Sequence, residues 1–297
     1  MSVFAIFNPA AGRGRGARRA ERYLALLRRE IPHLEHAFTQ AAGDEVRLVE
    51  QALAEGHDSI VAVGGDGTWS LVADHILRSG RHVTLGLLPA GTGNDFGKSL
   101  GATHARAEQI VRGIAEGKRR RIDVGRVNDR HFLNVVGLGF DIAVIDDAAT
   151  VPLLKGDLLY QFCALRQLFR FPGIPLEVTT SEGGGAKIDH LMLVVANASY
   201  FGGSFHIAPH ASLEDGKLDA VSIANAGPLS RARLFSRVAK GQHEGHAKVT
   251  VRQERKFRIA FDGPIRYEMD GEVYSSQAGS LSVEAVPQAL DVFVPAG

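Results

Sequence analysis

Cysteine is nearly absent from this chain. Cys163 stands alone, so no internal disulfide can form, and its flanks, LLYQFCALRQLF, mark a core thiol rather than a nucleophile. That usage fits a reducing compartment. No stretch reaches the ~20 apolar residues a helix needs to cross a bilayer, and the apolar run in the opening MSVFAIFNPAAG is too short for a signal peptide. Excess charge of one sign is missing too: 34 Lys and Arg face 33 Asp and Glu, so bulk charge selects no polyanion, and nucleic acid is not an expected partner. Internal repeats and low-complexity linkers are not found. The 297 residues exceed the ~100–200 of one ordinary domain, which predicts two.

Basic residues are nevertheless clustered. Arg13, Arg15, Arg18, Arg19, Arg22, Arg28 and Arg29 form one run, Lys118 to Arg121 a second, and Arg231, Arg233, Arg237 and Lys240 a third. Each reads either as a solvated helix face or as a surface for phosphates and anionic lipid. The first third alternates short apolar runs with helical spacing: strands at 3–7, near 38, 59–63 and 83–88, and helices over 16–30, 44–55 and from 68 through Leu77. Short loops join them, which predicts a three-layer α/β domain over residues 1–123 with a parallel sheet and ligands at the carboxyl ends of its strands. Beyond it, strand-like runs at 122–127, 131–136, 174–180, 188–196, 217–224, 247–251, 256–262, 265–269 and 280–285 predict an antiparallel β-sandwich over 124–297. One helical stretch, roughly 153–170, interrupts it, and a last segment, 290–294, is placed to return to the first domain.

Three loops could carry chemistry. Gly64-Gly65-Asp66-Gly67-Thr68 ends a buried strand and opens a helix. Its glycines let backbone approach a ligand, and helix-start amides favour phosphate. A carboxylate in that cradle makes sense if it holds Mg²⁺ or takes a proton. Pro89-Ala90-Gly91-Thr92-Gly93-Asn94-Asp95 also follows a strand and gathers glycines, a hydroxyl, an amide and a carboxylate. Gly97-Lys98-Ser99 mimics the end of a P-loop, but position 92 is Thr where its first glycine must stand. Asn8-Pro9-Ala10-Ala11-Gly12 alone reads as a plain βα turn, and Gly12-Arg13-Gly14 with Ala17 is no clean dinucleotide fingerprint, because it follows an Asn-Pro turn and no acidic residue ends the next strand.

In series, FNPAAG, VAVGGDGTWS and LLPAGTGNDFGKSLG resemble the signature motifs of the diacylglycerol kinase catalytic-domain family, which includes bacterial lipid kinases and the sphingosine and ceramide kinases. NVVGLGFDIAV, NASYFGGSFHIAPHASLEDGKLDAVSI and the DGE at Asp270-Gly271-Glu272 extend the resemblance over nearly the whole chain. It implies a nucleotide domain related to those of NAD kinase and phosphofructokinase, joined to a β-sandwich. It also implies an ATP- and Mg²⁺-dependent kinase acting on a lipid hydroxyl, with diacylglycerol first among substrates and a sphingoid base or ceramide as the alternative; a nucleotide-binding protein that has lost catalysis is the rival class. By motif, Asn8, Pro9, Gly12 and Thr39 would line the nucleotide. Gly64, Gly65, Asp66, Gly67, Thr68 and Ser70 would cradle its phosphates, with Gly91, Thr92, Gly93, Asn94 and Asp95 beside them. Glu272 takes the place of the family's general base, with Asp66 at the reacting centre, and Ser212, Asp215 and Lys217 resemble a structural Mg²⁺ loop.

The chain departs from the family where many bacterial members carry Asn-Glu after the apolar residue that follows GGDGT; here Ser70-Leu71 stands, without a carboxylate. Asp123 reads as a domain-junction residue, either structural or metal-facing. His206 and His210 read as ordinary surface or core histidines with no carboxylate partner in view. The aromatic helix edged by Lys155, Arg166 and Arg170 reads as core packing, with a lipid-facing role second. The expected location is the cytoplasm, peripheral at the inner membrane face, and a homodimer is compatible with the sequence.

Overall fold

The computed structural model describes residues 1–102, 106–151, 157–203 and 205–296. Lys155 lies outside the described residues. The first half runs β1 (Val3–Phe7), α1 (Ala11–Glu30), β2 (Leu34–Phe38), α2 (Glu45–Ala54), β3 (Ser59–Gly64), α3 (Asp66–Ser79), β4 (Thr84–Pro89), α4 (Asp95–Ser99) and α5 (Ala107–Ala115). The strands are parallel in the order β2-β1-β3-β4. Successive side chains of a strand face opposite ways. Phe4, Ile6, Ile60 and Ala62 therefore pack on Leu48 of α2 and on Trp69, Val72 and Ile76 of α3. Val3, Ala5, Phe7, Val61 and Val63 pack on Tyr23 and Leu27 of α1 and on Ile110 and Ile114 of α5. Chain order reverses between β1 and β3, and the crevice at their carboxyl ends is where such sheets bind ligands.

The second half runs β5 (Arg119–Val127), β6 (Arg130–Phe132), β7 (Val135–Gly139), α6 (Phe140–Ala149), α7 (Asp157–Arg170), β8 (Ile174–Thr180), β9 (Gly183–Gly184), β10 (Ile188–Ala196), β11 (Leu218–Ala224), α8 (Pro228–Ala239), β12 (Val249–Glu254), β13 (Lys256–Ala260), β14 (Ile265–Met269), β15 (Glu272–Ser276) and β16 (Ser280–Phe293). Its strands are antiparallel. One layer is β12-β11-β10-β7-β14-β15, the other β8-β13-β16-β5, and β8 also pairs with β10 at the corner. Phe132, Leu138, Leu193, Phe257, Ile259 and Leu281 fill the space between layers. β16 continues past the sandwich: it follows β5 as far as Phe293 opposite Arg119, and Val292 pairs in parallel with Leu85 of β4. A bulge between Val286 and Leu290 bends it, with Gln288 at φ 50°. There Asp123 accepts from the amides of Gln288 (2.7 Å) and Gly216 (2.6 Å).

The sandwich half differs from the sequence reading in three respects. Among the described residues it holds three helices, not one: α6, α7 and α8 cover the outer face of the β10–β11 layer through Phe140, Cys163, Leu234 and Val238. The single strand expected over 131–136 is two, β6 and β7, because the amides of Leu133, Asn134 and Val135 turn to the Asp270 carboxylate (2.7, 2.9 and 3.0 Å). The basic runs are not uniform solvated helix faces. Arg119 to Arg121 open β5, with Arg120 paired to Glu214 and Arg121 donating to the Gln288 carbonyl. Arg231 is buried at 4% exposure and donates to the carbonyls of Leu168 (2.8 Å) and Phe171 (2.7 Å), closing the C-terminal end of α7. A helix end buried without partners is costly. Arg231→Met is therefore expected to lower stability by about 2 kcal/mol, read as a lower urea midpoint; an unchanged midpoint would show that water replaces the guanidinium freely.

Candidate active site

At the β1–β3 crevice the loops hold one another. Asn8 donates through Nδ2 to Glu45 Oε1 (3.0 Å) and Thr68 Oγ1 (2.9 Å), while its Oδ1 accepts from the amides of Ala10 and Ala11. Pro9 accepts the Ala17 amide and so anchors the start of the regular helix. Gly12 has φ +58°, and a Cβ there would lie 2.4 Å from the Ala90 carbonyl, so only glycine fits. Gly64 takes the amides of Ala90 (2.7 Å) and Gly91 (3.1 Å) on its carbonyl. Asn94, at φ 48°, closes the next turn by bonding both the amide and the carbonyl of Gly91. The result is a cleft of about 280 Å³ whose walls include Asn8, Gly12, Gly65, Gly67, Thr68, Gly91 and Thr92. α3, a helix of 14 residues, opens onto it with Gly65 at its cap. The amides of its first turn suit an anion.

The opposite wall comes from the sandwich. Asp270 (φ 51°) and Gly271 (φ 91°) turn the chain into β15 and place Glu272 in the cleft. A Cβ added to Gly67 would sit 3.1 Å from Glu272 Oε1, so the carboxylate lies against the Gly64–Thr68 turn. Burial, and then repulsion by Glu45, push the Glu272 carboxyl above its usual range. Glu45 is a wall residue that the sequence reading passed over. It stands in the first turn of α2, 2% exposed, and accepts from both Asn8 and Thr68. Leu71 lines the same cleft.

Beside the cleft, Asp66 accepts the Phe96 amide at 3.1 Å. Burial, with a contribution from Asp95, raises its pKa to about 6. Gly93 separates the two: a Cβ there would meet Asp66 Oδ2 at 3.3 Å and Asp95 Oδ2 at 3.4 Å. Asp95 pairs with Lys98 (2.6 Å) and accepts the Gly203 amide (2.7 Å), tying this loop to the sandwich half. Asp141, at the start of α6, has a pKa of about 6 from burial, and Glu268 is raised well above its usual value by burial and by Asp141. Sequence reasoning missed both: Glu268 falls within the expected strand 265–269, and Asp141 stands in a segment given no element.

Other expected site residues stand elsewhere. Thr39 is buried, its amide on the Phe7 carbonyl, and is not among the residues walling the cleft. Ser70 is buried near Asp270 and is not among the residues walling the cleft. Ser212 Oγ accepts the Glu214 amide, and Asp215 accepts from the Lys217 amide (3.0 Å) and Gln253 (3.1 Å) in a loop that Asp123 also holds. His210 does have a carboxylate neighbour, Glu244 at 3.4 Å, and His206 stacks on Tyr200.

Two family models match the chain: the diacylglycerol kinase catalytic domain over residues 2–127, and the YegS C-terminal NAD kinase beta sandwich-like domain over residues 134–294. A diacylglycerol kinase of Mycobacterium tuberculosis is 28% identical over 298 residues, covering 99% of this chain and 95% of its own. One from Bacillus subtilis is 27% identical over 274 residues, 90% of this chain and 88% of its own. In fold, a crystal structure of a diacylglycerol kinase from Bacillus anthracis superposes with a TM-score of 0.76 at 21% identity, over 99% of this chain and 96% of that one. With a parallel-sheet half and a sandwich half that the two models match in turn, the chain belongs to the diacylglycerol kinase catalytic-domain family of lipid kinases.

Proposed function

We infer that the protein transfers the γ-phosphoryl of ATP, with Mg²⁺, to the free hydroxyl of diacylglycerol, giving phosphatidic acid. The observation that carries this is the placement of Glu272, from one half, against Gly67 in the phosphate-cradling turn of the other. A triphosphate fits the cleft because its walls at Gly12, Gly65, Gly67 and Gly91 carry no side chain and α3 points its free amides there. Glu272 is placed to take the lipid hydroxyl proton, and its raised pKa suits that role. Asn8 and Thr68 orient the turn, and Asp66 fixes the Phe96 amide beside it. Mg²⁺, when bound, would neutralise phosphate charge, with Asp66 and Asp95 as the nearby oxygen donors. The Ser212–Lys217 loop offers the oxygen-only donors Mg²⁺ prefers, and the buried Asp219, whose carboxyl is raised to about 6 by burial and then by Asp215, adds a nearby carboxylate that a cation would favour. Incubation with labelled ATP and a panel of diacylglycerol, ceramide and sphingosine in mixed micelles tests the reading. Label in phosphatidic acid is expected; label in a sphingoid product would change the substrate, and none in any lipid would refute the assignment.

The substrate resides in bilayers, and α7 supplies a docking face. Phe162, Leu165 and Phe169 recur along it at helical spacing and are 44, 57 and 67% exposed. Arg170 ends the helix beside them. Burying three such side chains contributes roughly 1.5–3 kcal/mol each. Replacing all three with Ser is expected to weaken sedimentation with anionic vesicles by about 100-fold or more, with the melting temperature unchanged because the side chains are exposed. Equal sedimentation of variant and parent would place the docking face elsewhere. High salt should weaken the parent's binding if basic residues contribute.

A further inference from the structure

At the amino ends of β1 and β3, away from the catalytic crevice, His57 meets two glutamates. The imidazole is 5% exposed. Its Nδ1 bonds Ser2 Oγ at 2.7 Å, and its Nε2 is buried with no hydrogen-bond partner. That nitrogen faces Glu35 Oε1 at 3.6 Å and Glu55 Oε2 at 3.7 Å, too long for hydrogen bonds. All three ligand atoms lie within 4.8 Å of one another. Donors around a tetrahedral Zn²⁺ at about 2.0–2.1 Å stand roughly 3.3–3.4 Å apart, so small rotations of the two exposed glutamates would close the set.

We propose that His57, Glu35 and Glu55 form a structural site for a divalent transition cation of the Zn²⁺ class, joining edge strand β2 to the α2–β3 turn. One imidazole and two carboxylates are donors Zn²⁺ accepts, with water completing the shell. The bond from Nδ1 to Ser2 is the outer-shell contact that fixes a ligating imidazole's tautomer. Glu55 caps the C-terminal end of α2, where the helix dipole favours a cation. An open cleft along Ser2, His33 and Glu35 gives the ion a way in.

The test is calorimetric titration of the chelator-treated full chain with Zn²⁺ in excess Mg²⁺, which occupies oxygen-only sites. One Zn²⁺ per chain and a raised melting temperature are expected. Glu35→Gln with Glu55→Gln should weaken binding by at least about 100-fold with the metal-free melt as in the parent, and Ser2→Ala by about 10–100-fold, with lipid kinase activity unchanged in both. The glutamates are exposed, so loss of fold will not obscure the result. No Zn²⁺ uptake by the parent, or undiminished affinity in the double variant, would overturn the site and leave His57 a buried imidazole beside two glutamates.

Discussion

Glu272→Gln is expected to reduce lipid phosphorylation by about 10²–10⁴-fold, the usual contribution of a general base, while ATP still raises the melting temperature. The amide keeps the volume and reach of the carboxylate against Gly67 but cannot take the lipid proton. Because burial and Glu45 raise the Glu272 pKa, the acid limb of the rate profile should lie above the ordinary carboxylate range, with turnover falling as pH drops through it. Asp66→Asn separates the roles. Asp66, with a pKa of about 6, holds the loop through the Phe96 amide, so its loss should lower turnover and alter the Mg²⁺ requirement. If Glu272→Gln stayed near parental activity while Asp66→Asn abolished it, the base would be Asp66. If both remained active, the proton-transfer scheme would be wrong.

The largest effect on stability is expected at Asp270. Its buried carboxylate takes three consecutive amides, Leu133, Asn134 and Val135. Asp270→Ala leaves those amides buried without an acceptor, at roughly 1–3 kcal/mol each, and places alanine at φ 51°, which it adopts poorly. A loss of about 3 kcal/mol or more is expected, read as a fall in urea midpoint. Asn tolerates that φ and keeps one oxygen, so Asp270→Asn should lose less. A midpoint unchanged by Ala would mean that the β6–β7 break does not depend on this carboxylate. Burial raises the Asp270 pKa, so its ionisation opposes folding: its favourable contribution is complete below the unfolded pKa and declines as pH rises through the folded one.

The alternation of the first half was legible because β1, β3 and β4 are buried on both faces and read as uninterrupted apolar runs. The loops after them were legible because close backbone contact leaves only glycine at such positions as Gly12. The helices α6 and α8 were not. FDIAVIDDAA sets three acidic residues among short apolar ones and shows no clear helical stripe, and SRARLFSRVA reads as a basic run although Arg231 points inward. Glu45 stands in the first turn of α2, where a carboxylate complements the helix dipole, so its position alone gives no sign of a wall role. Ser2, Glu35, Glu55 and His57 form no motif; parallel pairing of β1 with β2 and β3 alone brings them together.

β16 bears on how the polypeptide is made. The sheet edge at β4 is completed by a segment near residue 292, synthesised long after residue 127 has left the ribosome. Folding is expected to proceed by domains during synthesis, yet here the earlier module must wait for the last-made strand. A gene fragment ending at residue 127 would carry every glycine named in the cleft wall and still expose the β4 and β5 edges, inviting self-association. The two halves are separable on paper but are one unit of inheritance and of expression.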